Sequence, residues 1–455
     1  MSKRFARKDV IMTEGNIWKQ LLWFALPLLV GNLFQQLYNT VDSIVVGNFV
    51  GKEALAAVGT NDSLINTLIG FFSGMATGAG VVISQYYGAR DDENVHKAVH
   101  TTIAMTFLMA VLFTALGILM VDPMLRLMGT PEDVMPQAKS YLTIYFAGVI
   151  GLMFYNMSTG ILRAVGDSQR PLYFLIVSAL INTVLDLVFV VCFQWGVAGV
   201  AYATIIAQGV SAVLALRTLR KEKGIYRLIW KEVRIDWLML KKIVLVGLPS
   251  ALQMAITSFS NVFVQSYINE FGSACMAGWS SYSKIDKFCM LPIQSVSLAI
   301  TTFVGQNLGA NQVERAKKGS RIALLMSVTM TIIIMIPIMT FAPQLVALFN
   351  QEPEVMQYGS MFLRLMMPFF VCTCTNQVYA GSLRGAGDTK APMIIMMGCF
   401  ILFRQIYLFV VDKLTHSIIL VALGYPFGWI LCSIIIYLYY RFSHWEKHRI
   451  VVSEQ

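Results

Sequence analysis

Twelve runs of roughly 20 to 30 apolar residues follow one another along the chain, at about 17–48, 54–85, 97–121, 136–162, 171–194, 196–218, 241–268, 274–305, 319–347, 355–383, 392–411 and 417–440. Each is long enough to cross a hydrocarbon core of about 30 Å. In lipid every backbone N–H and C=O must be satisfied internally, so spanning runs of this length fold as helices. The runs therefore predict an all-α integral membrane protein with twelve transmembrane helices. Composition agrees, since 56% of the 455 residues are hydrophobic, 13% are charged and the mean hydropathy is +0.64, too apolar for soluble domains. The basic start MSKRFARK leads into the first run without a small-residue cleavage site, so the chain is expected to enter the membrane uncleaved.

The net charge of +10 raises nucleic acid as a partner, but its placement excludes that reading. With a cytoplasmic N-terminus, 27 of the 35 Lys and Arg fall on the inner side, four outside (Lys52, Arg126, Lys139, Lys413) and four within runs. That distribution follows the positive-inside rule and places both termini in the cytoplasm. The basic excess is topological, with some attraction to anionic lipid. The seven cysteines lie in or at the edges of apolar runs with no metal-ligand or disulfide spacing, and are read as small packing residues.

A duplication sets the domain organisation. Gln85, Gly88 and Ala89 recur as Gln306, Gly309 and Ala310, each 221 residues further on. At the same offset Arg163, Gly166, Asp167 and Pro171 recur as Arg384, Gly387, Asp388 and Pro392, and Val134-Met135 as Val355-Met356. Pro27 maps onto Pro249 with a one-residue slip. Six spans per copy is an even number, so both copies have the same orientation, related by a pseudo-twofold axis along the membrane normal. The expected domains are an N-terminal lobe over 1–214, a linker over 215–242 and a C-terminal lobe over 243–455. With nine Lys/Arg and interleaved Ile225, Leu228, Ile229, Trp230 and Trp237, the linker reads as a helix on the cytoplasmic surface. The repeated Arg-x-x-Gly-Asp loops read as cytoplasmic helix stops with an Arg and Asp able to pair.

The first run contains one carboxylate, Asp42. A charge inside a spanning helix is expensive and normally serves a pathway, a relay or a bound ion. Asn39, Tyr38 and Gln35 precede it on the same helical face, a stripe expected to face protein or water. The fifth run carries Asn182 and Asp186 at i, i+4. The repeat maps Asp42 onto Val264, Asn182 onto Phe403 and Asp186 onto Tyr407, so the second half has lost this constellation. Helix rise puts Asp42 and Asp186 each about 12 Å inside the outer ends of their helices, and Thr204 at about 10 Å. Two carboxylates with amide and hydroxyl oxygens nearby make either a hard-cation site or a proton-sharing pair. Protons are favoured, because two carboxylates carry more charge than one monovalent cation neutralises; sodium is the alternative, and no other metal is expected. In the eighth run Lys284, Asp286 and Lys287 are expected to neutralise one another. Arg364 and Arg404 have no acidic partner in their own runs.

Two six-helix halves, the first helix from Pro27 to Asp42, the repeated Gln-x-x-Gly-Ala blocks with VGQNLGA in the second, and the paired LRAVGD and LRGAGD loops together resemble the multidrug and toxic compound extrusion (MATE) family over essentially the whole chain. Acid in helices one and five without acid in helices seven and ten resembles its DinF-like branch. Helix seven offers Gln253 and Gln265 instead, and helix ten Thr373, Asn376 and Gln377. The resemblance implies a V-shaped secondary antiporter of the cell membrane that exports lipophilic, often cationic compounds against an inward flow of protons or sodium. By it, Asp42, Asn182, Asp186 and Thr204 match the branch's cation site, with Gln35, Tyr38, Asn39 and Tyr141 as a supporting polar network. It implies no cofactor, a monomer, and small molecules and membrane lipids as partners.

Met153, Phe154, Met361, Met366, Met367, Phe369 and Phe370 on the fourth and tenth runs are candidates for a substrate cleft, because soft, adaptable side chains suit surfaces that accept varied ligands. A primary pump would need a nucleotide motif that the chain lacks, GSLRGAGDTK being only superficially similar. An intramembrane enzyme would want acidic metal-binding clusters, and the one run, Asp91-Asp92-Glu93, is unrepeated and reads as solvated charge. A flippase for lipid-linked oligosaccharides, the nearest rival, would line its cavity with several cations for pyrophosphate, and few are present.

Overall fold

The computed structural model describes residues 11–50, 52–415 and 417–451, except the side chains of 41–44, 47–48, 52–56, 59–60, 62–63 and 258–263. Among the described residues there is no strand, and twelve helices are long and apolar enough to cross a membrane. They are α1 (Ile17–Phe49), α2 (Lys52–Gly88), α3 (Asp92–Leu127), α4 (Met135–Ala164), α5 (Gln169–Cys192), α6 (Gly196–Lys221), α7 (Trp237–Asn269), α8 (Ser273–Gly309), α9 (Val313–Thr340), α10 (Pro353–Ala386), α11 (Lys390–Leu414) and α12 (Ile418–Phe442).

The repeat found in the sequence is a repeat of helix boundaries. α2 and α8, α3 and α9, and α5 and α11 each start 221 residues apart. The stops repeat too: Gly166 and Gly387 take φ of 91° and 96°, a left-handed conformation that glycine adopts without steric cost. Their N–H groups donate to Arg163 and Arg384, and the next N–H groups, of Asp167 and Asp388, donate to Leu162 and Leu383. The aspartates then start the following helices. Asp167 Oδ1 accepts from the N–H of Gln169 and Arg170, and Asp388 Oδ1 from that of Ala391, as N-terminal caps do. Among the described residues neither loop Arg, though able to pair, forms an ion pair with its Asp: Asp167 binds Arg170 at 2.7 Å, and Asp388 accepts from the Tyr439 hydroxyl at 2.7 Å.

Contacts divide the chain into two compact units that exchange segments of α1 and α7. Unit 1 comprises Met1–Ile11 and Val30–Ala251; unit 2 comprises Met12–Leu29 and Leu252–Gln455. In unit 2 the Met12 N–H donates to Gln306 Oε1 at 2.8 Å and its carbonyl accepts from Asn307 Nδ2 at 3.1 Å, while Leu21, Phe24 and Ala25 join its core. In unit 1 the early part of α7 crosses α2 so closely that a Cβ on Gly78 would lie 2.2 Å from Gly247 Cα. Small residues allow such backbone approach in membrane helices.

The linker helix expected over 215–242 is corrected. α6 ends at Lys221, α7 begins at Trp237, and between them only Trp230–Glu232 forms a single 3-10 turn. Gly224 interrupts the pattern, and the backbone bonds leave the segment: Leu228 donates to the Leu219 carbonyl, Ile229 to His100 Nε2 and Asp236 to Thr101 Oγ1. Of the apolar residues expected on that surface, Leu228 is buried in protein beside Tyr226, whereas Trp230 and Trp237 stay exposed, and Asp236 caps α7 through the N–H of Met239.

Candidate functional site

The site is built around α5. Ser178, Asn182 and Asp186 follow at four-residue steps on one face, and all three are buried, Asn182 and Asp186 completely. Ser178 Oγ donates to the Ala207 carbonyl of α6 at 2.8 Å. That bond sets the register of these two antiparallel neighbours, placing Asn182 level with Thr204 and Asp186 level with Val200, one turn apart. Thr204 is buried, and its hydroxyl donates to the Val200 carbonyl at 3.0 Å, leaving the oxygen's lone pairs as acceptors for a cation. Directly after Asp186 the helix widens into a π-turn over Leu187–Cys192, a distortion common at functional sites.

α4 and α2 complete the surroundings. Gly148 packs against Ile205 and Gly151 against Gly209, which puts Tyr141 and Tyr145 of α4 within a turn of the level of Asp186. Both tyrosines are buried and their rings stack with centroids 6.4 Å apart. Asn61 of α2 is fully buried and donates from Nδ2 to the Ala138 carbonyl at 3.1 Å. The Asn61 carbonyl oxygen, and both amide atoms of Asn182, have no hydrogen-bond partner among the described residues. A buried amide without partners costs about 1–3 kcal/mol, so such groups mark places where a water, proton or ion completes the shell.

Asp42 lies on α1 in the stretch that belongs to unit 1, but its side chain is outside the described residues. Val45 and Val46, a turn further on, pack in the same buried cluster as Tyr141, Val190 and Val200. Of the stripe before it, Gln35 and Asn39 are exposed and Tyr38 is half-buried. The cleft candidates separate. Met153 is buried in the core of unit 1, and Met366, Met367 and Phe370 in that of unit 2; side chains wedged in a close-packed interior present no surface to a ligand. Phe154, Met361 and Phe369 are partly exposed.

In the eighth span the expected neutralisation is partial: the charge of Lys287 acts on Asp286, but no ion pair forms among the described residues. Lys284 Nζ sits over the Phe349 ring at 5.1 Å, Lys287 is exposed, and Asp286 accepts instead from the Tyr282 hydroxyl at 3.0 Å. Residues one or two apart on a helix do not face each other. Arg364 is exposed, whereas Arg404 is buried with its guanidinium over the Tyr425 ring at 4.5 Å.

A family model described as MatE matches residues 27–188 and again 249–410. The chain belongs to the MatE family. Both matches begin at the repeated prolines, Pro27 and Pro249, so each half is one copy of the family's unit. The chain is similar to the probable multidrug resistance protein YoeA of Bacillus subtilis, 29% identical over 96% of each chain. It is also similar to a FAD transporter of Shewanella oneidensis, 23% identical over 78% of this chain and 79% of that one. Among solved structures a MOP superfamily transporter from Pyrococcus furiosus matches with a TM-score of 0.90 at 25% identity, covering 96% of this chain and 97% of that one. The chain is thus a multi-pass membrane transporter of the MatE family.

Asn61, Tyr145 and Ser178 were not singled out by sequence. The polar run Thr60-Asn61-Asp62-Ser63 inside the second apolar span is the signal for Asn61; Ser178 continues the four-residue spacing of Asn182 and Asp186.

Proposed function

We propose that the chain is a secondary antiporter that exports lipophilic, often cationic compounds, driven by an ion held at Asp42, Asn182, Asp186 and Thr204 of unit 1. The observation that carries this is the completely buried Asn182–Asp186 pair, whose amide has no hydrogen-bond partner among the described residues, in a chain of the MatE family. Burial of a carboxylate in a spanning helix is expensive unless the charge is bound to something. Two carboxylates that share one site favour a proton as the coupling ion, which neutralises one carboxyl outright. Sodium is the alternative, with Thr204 and the asparagine carbonyls as oxygen ligands. The protein works as a monomer in the cell membrane with both termini in the cytoplasm, catalyses no covalent chemistry, and has lipids and small molecules as partners.

One observation favours a second reading, export of a single metabolite, because a relative is named a FAD transporter. Counterflow in proteoliposomes decides between them. Tetraphenylphosphonium, ethidium and a fluoroquinolone are expected to compete for export under an imposed pH gradient without sodium. Transport under a sodium gradient alone would replace the proton with sodium, and transport of a flavin nucleotide with no competition from the three cations would overturn the multidrug reading.

A further inference from the structure

At the positions the repeat assigns to Asn61, Tyr141, Asn182 and Thr204, unit 2 carries Tyr282, Phe362, Phe403 and Tyr425. These side chains are not an inert replacement. The Trp279 ring touches Tyr282, Phe362 and Tyr425 with centroids 4.9, 5.1 and 5.6 Å apart. Arg404, the residue after Phe403, caps the Tyr425 face, and the Tyr282 hydroxyl donates to Asp286. Asp286 is half-buried and, among the described residues, has no ion pair.

We propose that Asp286 is a proton-binding site of unit 2, the counterpart there of the Asn182–Asp186 site. The Tyr282 hydroxyl is the one oxygen bonded to the carboxylate among the described residues, too few ligands for a metal ion, so the ligand is the smallest cation. The surrounding groups suit reversible protonation. On α8 the titratable neighbours are Tyr282, Cys289 and the exposed Lys287; α12 contributes Tyr425 and α11 the buried Arg404 behind it. α10 presents Phe362, its Arg364 being exposed, and α9 carries no charged residue after Arg321. A neutral hydroxyl donor holds the carboxylate without fixing it as an ion pair would, and the exposed Lys287 acts on it only at a distance. The site's role in transport rests on the antiport reading, but proton binding does not.

The test is pH-difference infrared spectroscopy of the purified full chain in detergent. Wild type is expected to show a protonated-carboxyl band that Asp286→Asn removes and Asp186→Asn leaves in place. Tyr282→Phe, which deletes the one hydroxyl donor, should retain the band and move its midpoint upward by about one pH unit, roughly a tenfold gain in proton affinity. Spectra of Asp286→Asn that superimpose on wild type, or a band in Tyr282→Phe with an unmoved midpoint, would overturn the proposal. A failure of drug transport in proteoliposomes would leave these spectra unchanged, so the two readings fail separately.

Discussion

The two units share one set of helix boundaries and differ at their centres. At the ends, Gly166 and Gly387 stop a helix in the same left-handed conformation, and Asp167 and Asp388 start the next. In the middle, unit 1 buries Asn182, Asp186 and Thr204, whereas unit 2 places Phe403, Tyr407 and Tyr425 at the equivalent positions, with Arg404 beside them. Even the helix distortions move: the π-turn of α5 begins directly after Asp186, and that of α11 ends directly before Arg404. The ends obey backbone geometry, which is the same in both copies. The centres obey only the demand that buried polar groups find partners, and the copies meet it differently.

The comparison breaks most visibly at Asp186. Asp186→Asn is expected to cut drug efflux at least about tenfold with normal membrane insertion, because it removes charge and keeps shape. Tyr407→Phe, its counterpart in unit 2, should leave efflux within about twofold. Asp42→Asn should match Asp186→Asn, and the double variant should be little worse than either, as for groups acting as one unit. Equal losses from Asp186→Asn and Tyr407→Phe would erase the distinction between the units.

A smaller effect sharpens how α1 is anchored. Gln306→Ala removes the acceptor of the buried Met12 N–H, an expected cost of about 1–3 kcal/mol. Thermal unfolding in detergent should fall accordingly, with faster proteolysis near Met12. The caps come next. Asp167→Ala and Asp388→Ala should each cost about 1 kcal/mol, each losing a second partner as well, Arg170 and Tyr439 respectively; a melting shift in only one of the two variants would break the equivalence of the helix stops.

Glu222 gives the smallest effect. Burial raises its carboxyl, but the hydrogen bond and charge of Arg170 outweigh it and hold the group below the ordinary Glu range. A depressed carboxyl stabilises the fold above its unfolded value and loses that contribution as pH falls through its folded value. Glu222→Gln should therefore lower stability slightly at neutral pH, by up to about 1 kcal/mol for a partly exposed pair, and converge with wild type in acid. A constant difference across pH would contradict this.

Length and apolarity made the helices legible, and one repeated offset fixed the equivalence of the halves, because both signals are local or strictly periodic. Asn182, Asp186 and Thr204 were legible for the same reason: polar groups are rare in spanning runs. Asn61 was overlooked because an asparagine amid small polar residues near a helix end resembles ordinary solvation until its burial is known. The linker misled because Leu228 and its apolar neighbours interleaved with Lys and Arg have the composition of a surface helix, and sequence does not say whether apolar side chains meet lipid or protein. Lys284 misled because adjacency in sequence is not adjacency on a helix. The exchange of α1 and α7 segments between the units depends on contacts such as Met12 with Gln306, 294 residues apart, which no local pattern encodes.

The central claim is that the buried Asn182–Asp186 pair of unit 1 holds the ion that export displaces. Adding tetraphenylphosphonium to the purified protein in weakly buffered detergent, with pH and sodium electrodes in parallel, tests it directly. Wild type is predicted to release protons, and Asp186→Asn to bind the drug and release none. Ion release from Asp186→Asn equal to that of wild type would contradict the account.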